Sequence, residues 1–301
     1  MKLKLSGVFA ALITPLDGRG NVDYRVFDRL IDFLVQREVD GVAVGGATGE
    51  YPHFDVEGRK KLISRAAQRL AAGKALLAGI GTSSIHTTLE LGRHAAQSGC
   101  RALLIPAPHF FQYEQHDLAA YCRTVSRALQ VPCLLYNLPA FTNGLQCETS
   151  IHLMQEEEYI IGIKDSSGDR MSLARLAGAD CRDRISLLAG NDSLLLGALD
   201  AGWDGVISGI AGFLPELIVS LYRNFRAGEL ESARNCQMLL DGLIEEIVKL
   251  PIPWAVRVGL EVRGLPNGPL HVPLSEIRTR GIEAFRVWFS RWLPEHIEDL
   301  L

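Results

Sequence analysis

Apolar residues come along this chain in eight short runs, each followed by a segment in which they recur at helical spacing. The runs cover 7–16, 41–46, 75–81, 102–106, 131–136, 160–164, 185–189 and 205–210. They are continuously apolar rather than alternating, which is the pattern of parallel strands covered on both faces. Between the first two runs, Phe27, Leu30, Ile31, Leu34 and Val35 form one helical stripe, as a helix lying on a core requires. Eight strand–helix units can close into a barrel or open into a doubly wound sheet. The count of eight, the 301-residue length and the lack of a G-x-G-x-x-G turn after the first run favour an α/β chain folded as a (β/α)8 TIM barrel. About 70 residues remain beyond the eighth unit, more than a minimal barrel needs. There, Leu239, Leu240, Leu243, Ile244 and Ile247 form one stripe and Phe285, Trp288, Phe289 and Trp292 another. The expected organisation is a barrel over 1–228 and a C-terminal helical extension over 229–301, which covers the barrel or makes a subunit contact.

Composition narrows the partners. The formal net charge is −4 and hydrophobic residues make up 48%, so there is no basic footprint for nucleic acid or an acidic membrane. No run is long enough to span a bilayer. Lys2 and Lys4 ahead of the first run imitate a secretory leader. The cleavage pattern is unconvincing, however, and 14–18 reads as a strand entering a turn, so a cytoplasmic location is expected. Cys100, Cys122, Cys133, Cys147, Cys181 and Cys236 are scattered without a C-x-x-C pair and read as reduced, buried thiols. The eight histidines show neither H-x-H nor H-E-x-x-H spacing, so neither metal nor cofactor is expected.

Barrel enzymes carry their chemistry at the C-terminal ends of the strands, and four ends hold polar residues that packing does not require. The sixth run ends Ile163-Lys164-Asp165-Ser166. Lysine is rarely buried, and apolar walls disfavour an ammonium; a neutral amine can attack a ketone to give an iminium electron sink. A lysine that snorkels out or pairs with Asp165 is the alternative. The fifth run ends Tyr136-Asn137-Leu138-Pro139, where Tyr136 is either a proton shuttle or a packed ring. The second ends Gly45-Gly46-Ala47-Thr48-Gly49-Glu50, an anion cradle of backbone amides and a hydroxyl or simply a tight turn. The seventh ends Gly190-Asn191-Asp192-Ser193, which offers partners for substrate hydroxyls or a helix N-cap at Asp192.

Taken in order, G-G-A-T-G-E, Y-N-L-P, G-I-K-D-S and G-V-I-S resemble the dihydrodipicolinate synthase / N-acetylneuraminate lyase superfamily. The similarity begins at Ala11-Leu12-Ile13-Thr14-Pro15 and covers essentially the whole barrel. The resemblance implies a class I aldolase or lyase with Lys164 as Schiff-base lysine and Tyr136 as proton-transferring tyrosine. It implies that Ala47 and Thr48 hold the pyruvyl carboxylate and that the Ile207 carbonyl lines the pocket. Ser166, Gly190 and Asp192 would contact the hydroxylated part of the substrate, and the assembly would be a homotetramer built from dimers.

Three departures bear on the substrate. Ala140-Phe141-Thr142 stands where the synthase branch has an arginine that grips a second carboxylate, and Phe141 cannot do so. Phe110 stands in place of the branch's relay tyrosine, and Ala47 replaces its usual hydroxyl residue. The segments 190–194 and 213–217 look more like the 2-keto-3-deoxy-sugar-acid aldolases. The leading expectation is reversible cleavage of a 4-hydroxy-2-oxo acid to pyruvate and an aldehyde, with Phe141 facing an acceptor of low charge or aromatic character. Sugar-acid dehydration, synthase-like condensation and a non-catalytic 2-oxo-acid sensor are the alternatives.

Overall fold

The computed structural model describes residues 3–297; Lys2 of the leader-like segment and residues 298–301 of the expected extension lie outside the described residues. The parallel strands β1 (Gly7–Ala11), β2 (Gly41–Val44), β3 (Ala75–Gly79), β4 (Ala102–Pro106), β5 (Cys133–Asn137), β6 (Ile160–Asp165), β7 (Ser186–Ala189) and β8 (Gly205–Ser208) close into a barrel in chain order. β8 pairs back onto β1. Helices α1 (Tyr24–Gln36), α2 (Val56–Arg69), α3 (Ile85–Gln97), α4 (Gln115–Leu129), α5 (Cys147–Glu156), α6 (Arg170–Ala177), α7 (Leu195–Asp200) and α8 (Pro215–Ala227) alternate with the strands. Three more follow: α9 (Leu230–Ile247), α10 (Ile252–Val262) and α11 (Glu276–Ile297). This is the eight-stranded α/β barrel with C-terminal helices that the pattern predicts.

The first and eighth strands are shorter than their apolar runs. Leu12, Ile13 and Leu16 are buried beyond the end of β1, and Ile210 lies in a 3-10 turn after β8. Loops that pack are apolar without being strands.

Alternation along each strand sorts side chains into two cores. Val8, Ala10, Val42, Val44, Leu103 and Ile105 face the helices, where they meet Phe27, Leu30, Ile31 and Leu34 of α1. Phe9, Leu77, Leu104, Leu134, Leu188 and Ile207 fill the lumen together with Tyr136. Burying each large apolar side chain contributes about 1.5–3 kcal/mol, so the lumen is a packed core and not a pore.

Local signals agree with the packing. α1 begins where the Asp23 carboxylate accepts from the Arg25 and Val26 amides, satisfying donors that a helix start leaves free. α8 ends at Gly228, whose φ of 81° suits a glycine C-cap. The two stripes read from the sequence bury Leu240, Leu243 and Ile247 on α9, and Phe285, Phe289 and Trp292 on α11. The C-terminal helices also reach the barrel mouth. Gln237 of α9 accepts from the Leu196 amide at 3.0 Å and donates to the Asp192 carbonyl at 3.3 Å. All six cysteines are free, and all but the partly buried Cys100 are buried.

Candidate active site

Lys164 reaches the lumen because of one irregularity in β6. Cys133 pairs with Ile160, but the next residue of β5, Leu134, pairs with Gly162, so β6 carries one extra residue. Ile160 and Ile163 both pack outward against the helices, whereas an unbroken strand would put them on opposite faces. The bulge resets the alternation and turns Lys164 inward, as bulges beside active sites commonly do. Gly162 permits it: its φ is +154°, and a Cβ there would lie 2.0 Å from the Ser186 carbonyl oxygen.

Tyr136 and Lys164 are register partners on β5 and β6. The Lys164 Nζ donates to the Tyr136 hydroxyl at 3.1 Å and lies 4.2 Å from the centre of the tyrosine ring. Both are buried, at 5% and 4% exposure, so the amine does not snorkel into bulk water. Nor does it pair with Asp165, which points to the other side of β6. There the Asp165 carboxylate accepts from Asn137 Nδ2 at 3.0 Å and from the Ser167 amide and hydroxyl at 2.7 and 2.5 Å. Asn137 Oδ1 in turn accepts from the Leu145 amide at 3.0 Å. This outer network locks the ends of β5 and β6 together, holding the phenol and the amine side by side.

The β7 and β8 ends complete the surroundings. Gly190 lies directly against the Lys164 side chain and the Ser166 hydroxyl. Asp192 does not cap the following turn; Asn191 does, accepting from the Ser193 amide. The Asp192 side chain is half-buried, and its Oδ1 is fully buried with no hydrogen-bond partner among the described residues. Burial pushes its carboxyl up to about 6, with Ser208, the Ile210 amide and Lys164 acting the other way. Ile207 is part of the luminal cluster with Tyr136, and Ala47 packs against that same cluster. Thr48 faces Gly209, just past β8, its Oγ1 3.2 Å from where a Cβ on that glycine would sit. Among the described residues its hydroxyl has no hydrogen-bond partner, so it is free to donate to a ligand.

The structure thus gathers Lys164, Tyr136, Ala47, Thr48, Ser166, Gly190, Asp192 and Ile207 at one end of the barrel. Phe141 stands apart, 62% exposed on the rim beside Phe110, Phe111 and Tyr113, which are also exposed. Asn143 ties their two loops together, donating to the Pro108 and Phe111 carbonyls at 2.6 and 2.8 Å. The sequence offers Asp165 only as an ion-pair partner for Lys164, whereas its partners are Asn137 and Ser167; Asn137, directly after Tyr136, and Glu50 and Arg257 carried no separate signal.

Residues 4–290 match the model of the dihydrodipicolinate synthetase family. N-acetylneuraminate lyase of Rhizobium meliloti is 30% identical over 284 residues, 94% of each chain. 4-Hydroxy-tetrahydrodipicolinate synthase of Macrococcus caseolyticus is 31% identical over 278 residues, 91% of this chain and 92% of its own. The crystal structure of dihydrodipicolinate synthase from Aquifex aeolicus superposes with a TM-score of 0.90 at 28% identity, covering 96% of this chain and 98% of that one. Among the described residues no helix is long and apolar enough to cross a membrane, and no group of three or more His, Cys, Asp or Glu is placed to hold a metal ion.

Proposed function

The chain belongs to the dihydrodipicolinate synthetase family and is a class I, pyruvate-using aldolase or lyase of it; from that premise we propose that it cleaves a 4-hydroxy-2-oxo acid of the 2-keto-3-deoxy-sugar-acid type, reversibly, to pyruvate and an aldehyde. The observation that carries the reading is the buried contact of 3.1 Å between the Lys164 amine and the Tyr136 phenol, at the strand ends that also bear the Ala47–Thr48 turn.

In this reading the substrate carboxylate sits on the amides of that turn and the Thr48 hydroxyl. The Lys164 amine adds to the 2-oxo carbon, Tyr136 gives its proton to the departing hydroxyl, which leaves as water, and an iminium forms beside the tyrosine's phenolate. Tyr136 takes the proton of the C4 hydroxyl, the C3–C4 bond breaks, and its electron pair moves into the iminium to give an enamine. The aldehyde departs. Protonation at C3 and hydrolysis then return the free amine and release pyruvate. Ser166 and Asp192 hold the hydroxyls of the sugar-acid chain, and the Ile207 carbonyl lines the floor beside the amine. The unpartnered Asp192 Oδ1 supports its part, since a buried acceptor without a donor costs about 1–3 kcal/mol that a substrate hydroxyl would relieve.

Phe141 takes the place of a carboxylate grip and favours an aldehyde of low charge over one bearing a second acid group. The exposed rings of Phe110 and Phe111, which meet edge to face, are the kind of apolar surface that subunit contacts cover. The reading takes the assembly to be a homotetramer of paired dimers and its location to be the cytoplasm. A screen of 2-keto-3-deoxy sugar acids for released pyruvate tests the reading. Pyruvate and an aldehyde in equal amounts are expected. A dehydrated 2-oxo product with its carbon skeleton intact would refute cleavage.

A further inference from the structure

We infer that Arg257, in the middle of α10, is a positioning residue for the 2-oxo acid's carboxylate cradle. The inference rests on reading the Ala47–Thr48 turn as that cradle. Arg257 is 1% exposed within an otherwise apolar stretch of α10, some 200 residues along the chain from the turn it serves. Its Nη1 donates to the Thr14 carbonyl at 2.9 Å and to the Glu50 carboxylate at 3.3 Å. Its Nη2 donates to the Asn267 and Pro269 carbonyls at 3.1 and 2.9 Å. One guanidinium therefore joins the loop after β1, the loop after β2 and the segment after α10.

Two of those contacts pass directly to the cradle. The Thr14 hydroxyl donates to the Gly49 carbonyl at 2.9 Å, one residue past Thr48. The Glu50 amide donates to the Ala47 carbonyl at 2.9 Å, closing the turn whose amides would face the carboxylate. With Glu50 and Thr14 both fixed from behind, Ala47 and Thr48 have little freedom to rotate their donors away.

Stability alone is a poor reason for this arrangement. A buried ion pair is often matched or bettered by apolar residues of the same volume. Here the Arg257 Nε is buried without a partner among the described residues, a cost of about 1–3 kcal/mol. Glu50 is also held in the left-handed region, at φ 53°, where a non-glycine residue is strained. Costs of this kind persist where they hold a functional geometry.

The test is the pyruvate concentration that half-saturates borohydride trapping on Lys164, measured for wild type, Arg257→Met and Arg257→Lys, with the thermal midpoint read beside it. The expected result for Arg257→Met is a rise of about tenfold in half-saturation, or about 1.4 kcal/mol, with the plateau of one adduct per chain kept. Arg257→Lys, which keeps the charge but loses the fork, falls between. A purely structural role would lower the midpoint and the folded fraction while leaving half-saturation where it was, and that result overturns the inference. Should Arg257→Met fail to fold, Glu50→Gln serves instead: a severalfold rise is expected, and no rise overturns the inference. A wild type that forms no adduct would sink the proposed function itself, and the inference with it.

Discussion

Gly190 is packed against Lys164 so closely that a Cβ on the glycine would lie 2.9 Å from the lysine Cε and 2.1 Å from the Ser166 hydroxyl. The amine thus runs along a groove that only a residue without a side chain leaves open. Gly190→Ala must displace either the lysine or the serine. Overpacking of this kind costs about 1–3 kcal/mol, and here the strain falls on the reacting group. The rate of pyruvate trapping should drop by about tenfold or more while the far-ultraviolet circular dichroism stays unchanged. A variant that traps at the wild-type rate would show that Lys164 is placed by something else.

Tyr136→Phe separates attack from proton transfer. The amine keeps its place on β6, so reduction with borohydride in the presence of pyruvate should still label the chain. Turnover of a cleavable 2-oxo acid should fall by about a hundredfold or more, the usual contribution of a positioned acid–base group. Equal losses in labelling and turnover would mean that the phenol serves only to hold the lysine.

Asp192 gives the protein a pH dependence. Burial raises its carboxyl from 3.8 to about 6. A carboxyl raised on folding holds its proton more tightly in the native state. Its contribution to stability is complete below the unfolded value and is lost as the pH climbs through about 6. Asp192→Asn removes that loss, so the variant's melting temperature should gain on the wild type as the pH rises from 3.8 to about 6 and keep a constant lead above that. Over the same window the wild type's kcat/KM should fall on the acid side of about 6, as the acceptor of substrate hydroxyls protonates, and the limb should vanish in the variant. A melting difference independent of pH would contradict this.

Phe141→Arg probes the rim. A guanidinium there offers the two-pronged carboxylate contact that phenylalanine lacks. In the condensation direction, aldehydes bearing a carboxylate should gain about tenfold in kcat/KM over neutral ones. An unchanged preference would place Phe141 away from the acceptor.

Much of this architecture was legible because each apolar run ends in residues that packing does not demand. Lys164 and Tyr136 stand out at the ends of runs 160–164 and 131–136, and strand ends of a barrel meet on one face. Whether Lys164 faces inward was not legible. Ile160-Ile161-Gly162-Ile163-Lys164 reads the same with or without a bulge, and the extra residue shows only against the register of β5. The Asn137–Asp165 contact needed the same register. The contact between Arg257 and Thr14 spans 243 residues; the local trace of it was an arginine inside an apolar helix, which a stripe-by-stripe reading passes over. The overlong first and eighth runs arose because residues such as Leu12 and Ile210 are apolar for packing beyond the strand.

The most direct test of the account is the mass of the intact protein, and of its peptides, after borohydride reduction in the presence of pyruvate. The account predicts one reduced pyruvyl adduct per chain, located on Lys164 and absent from Lys164→Ala. A wild-type mass that does not change, or an adduct on any other lysine, would contradict it.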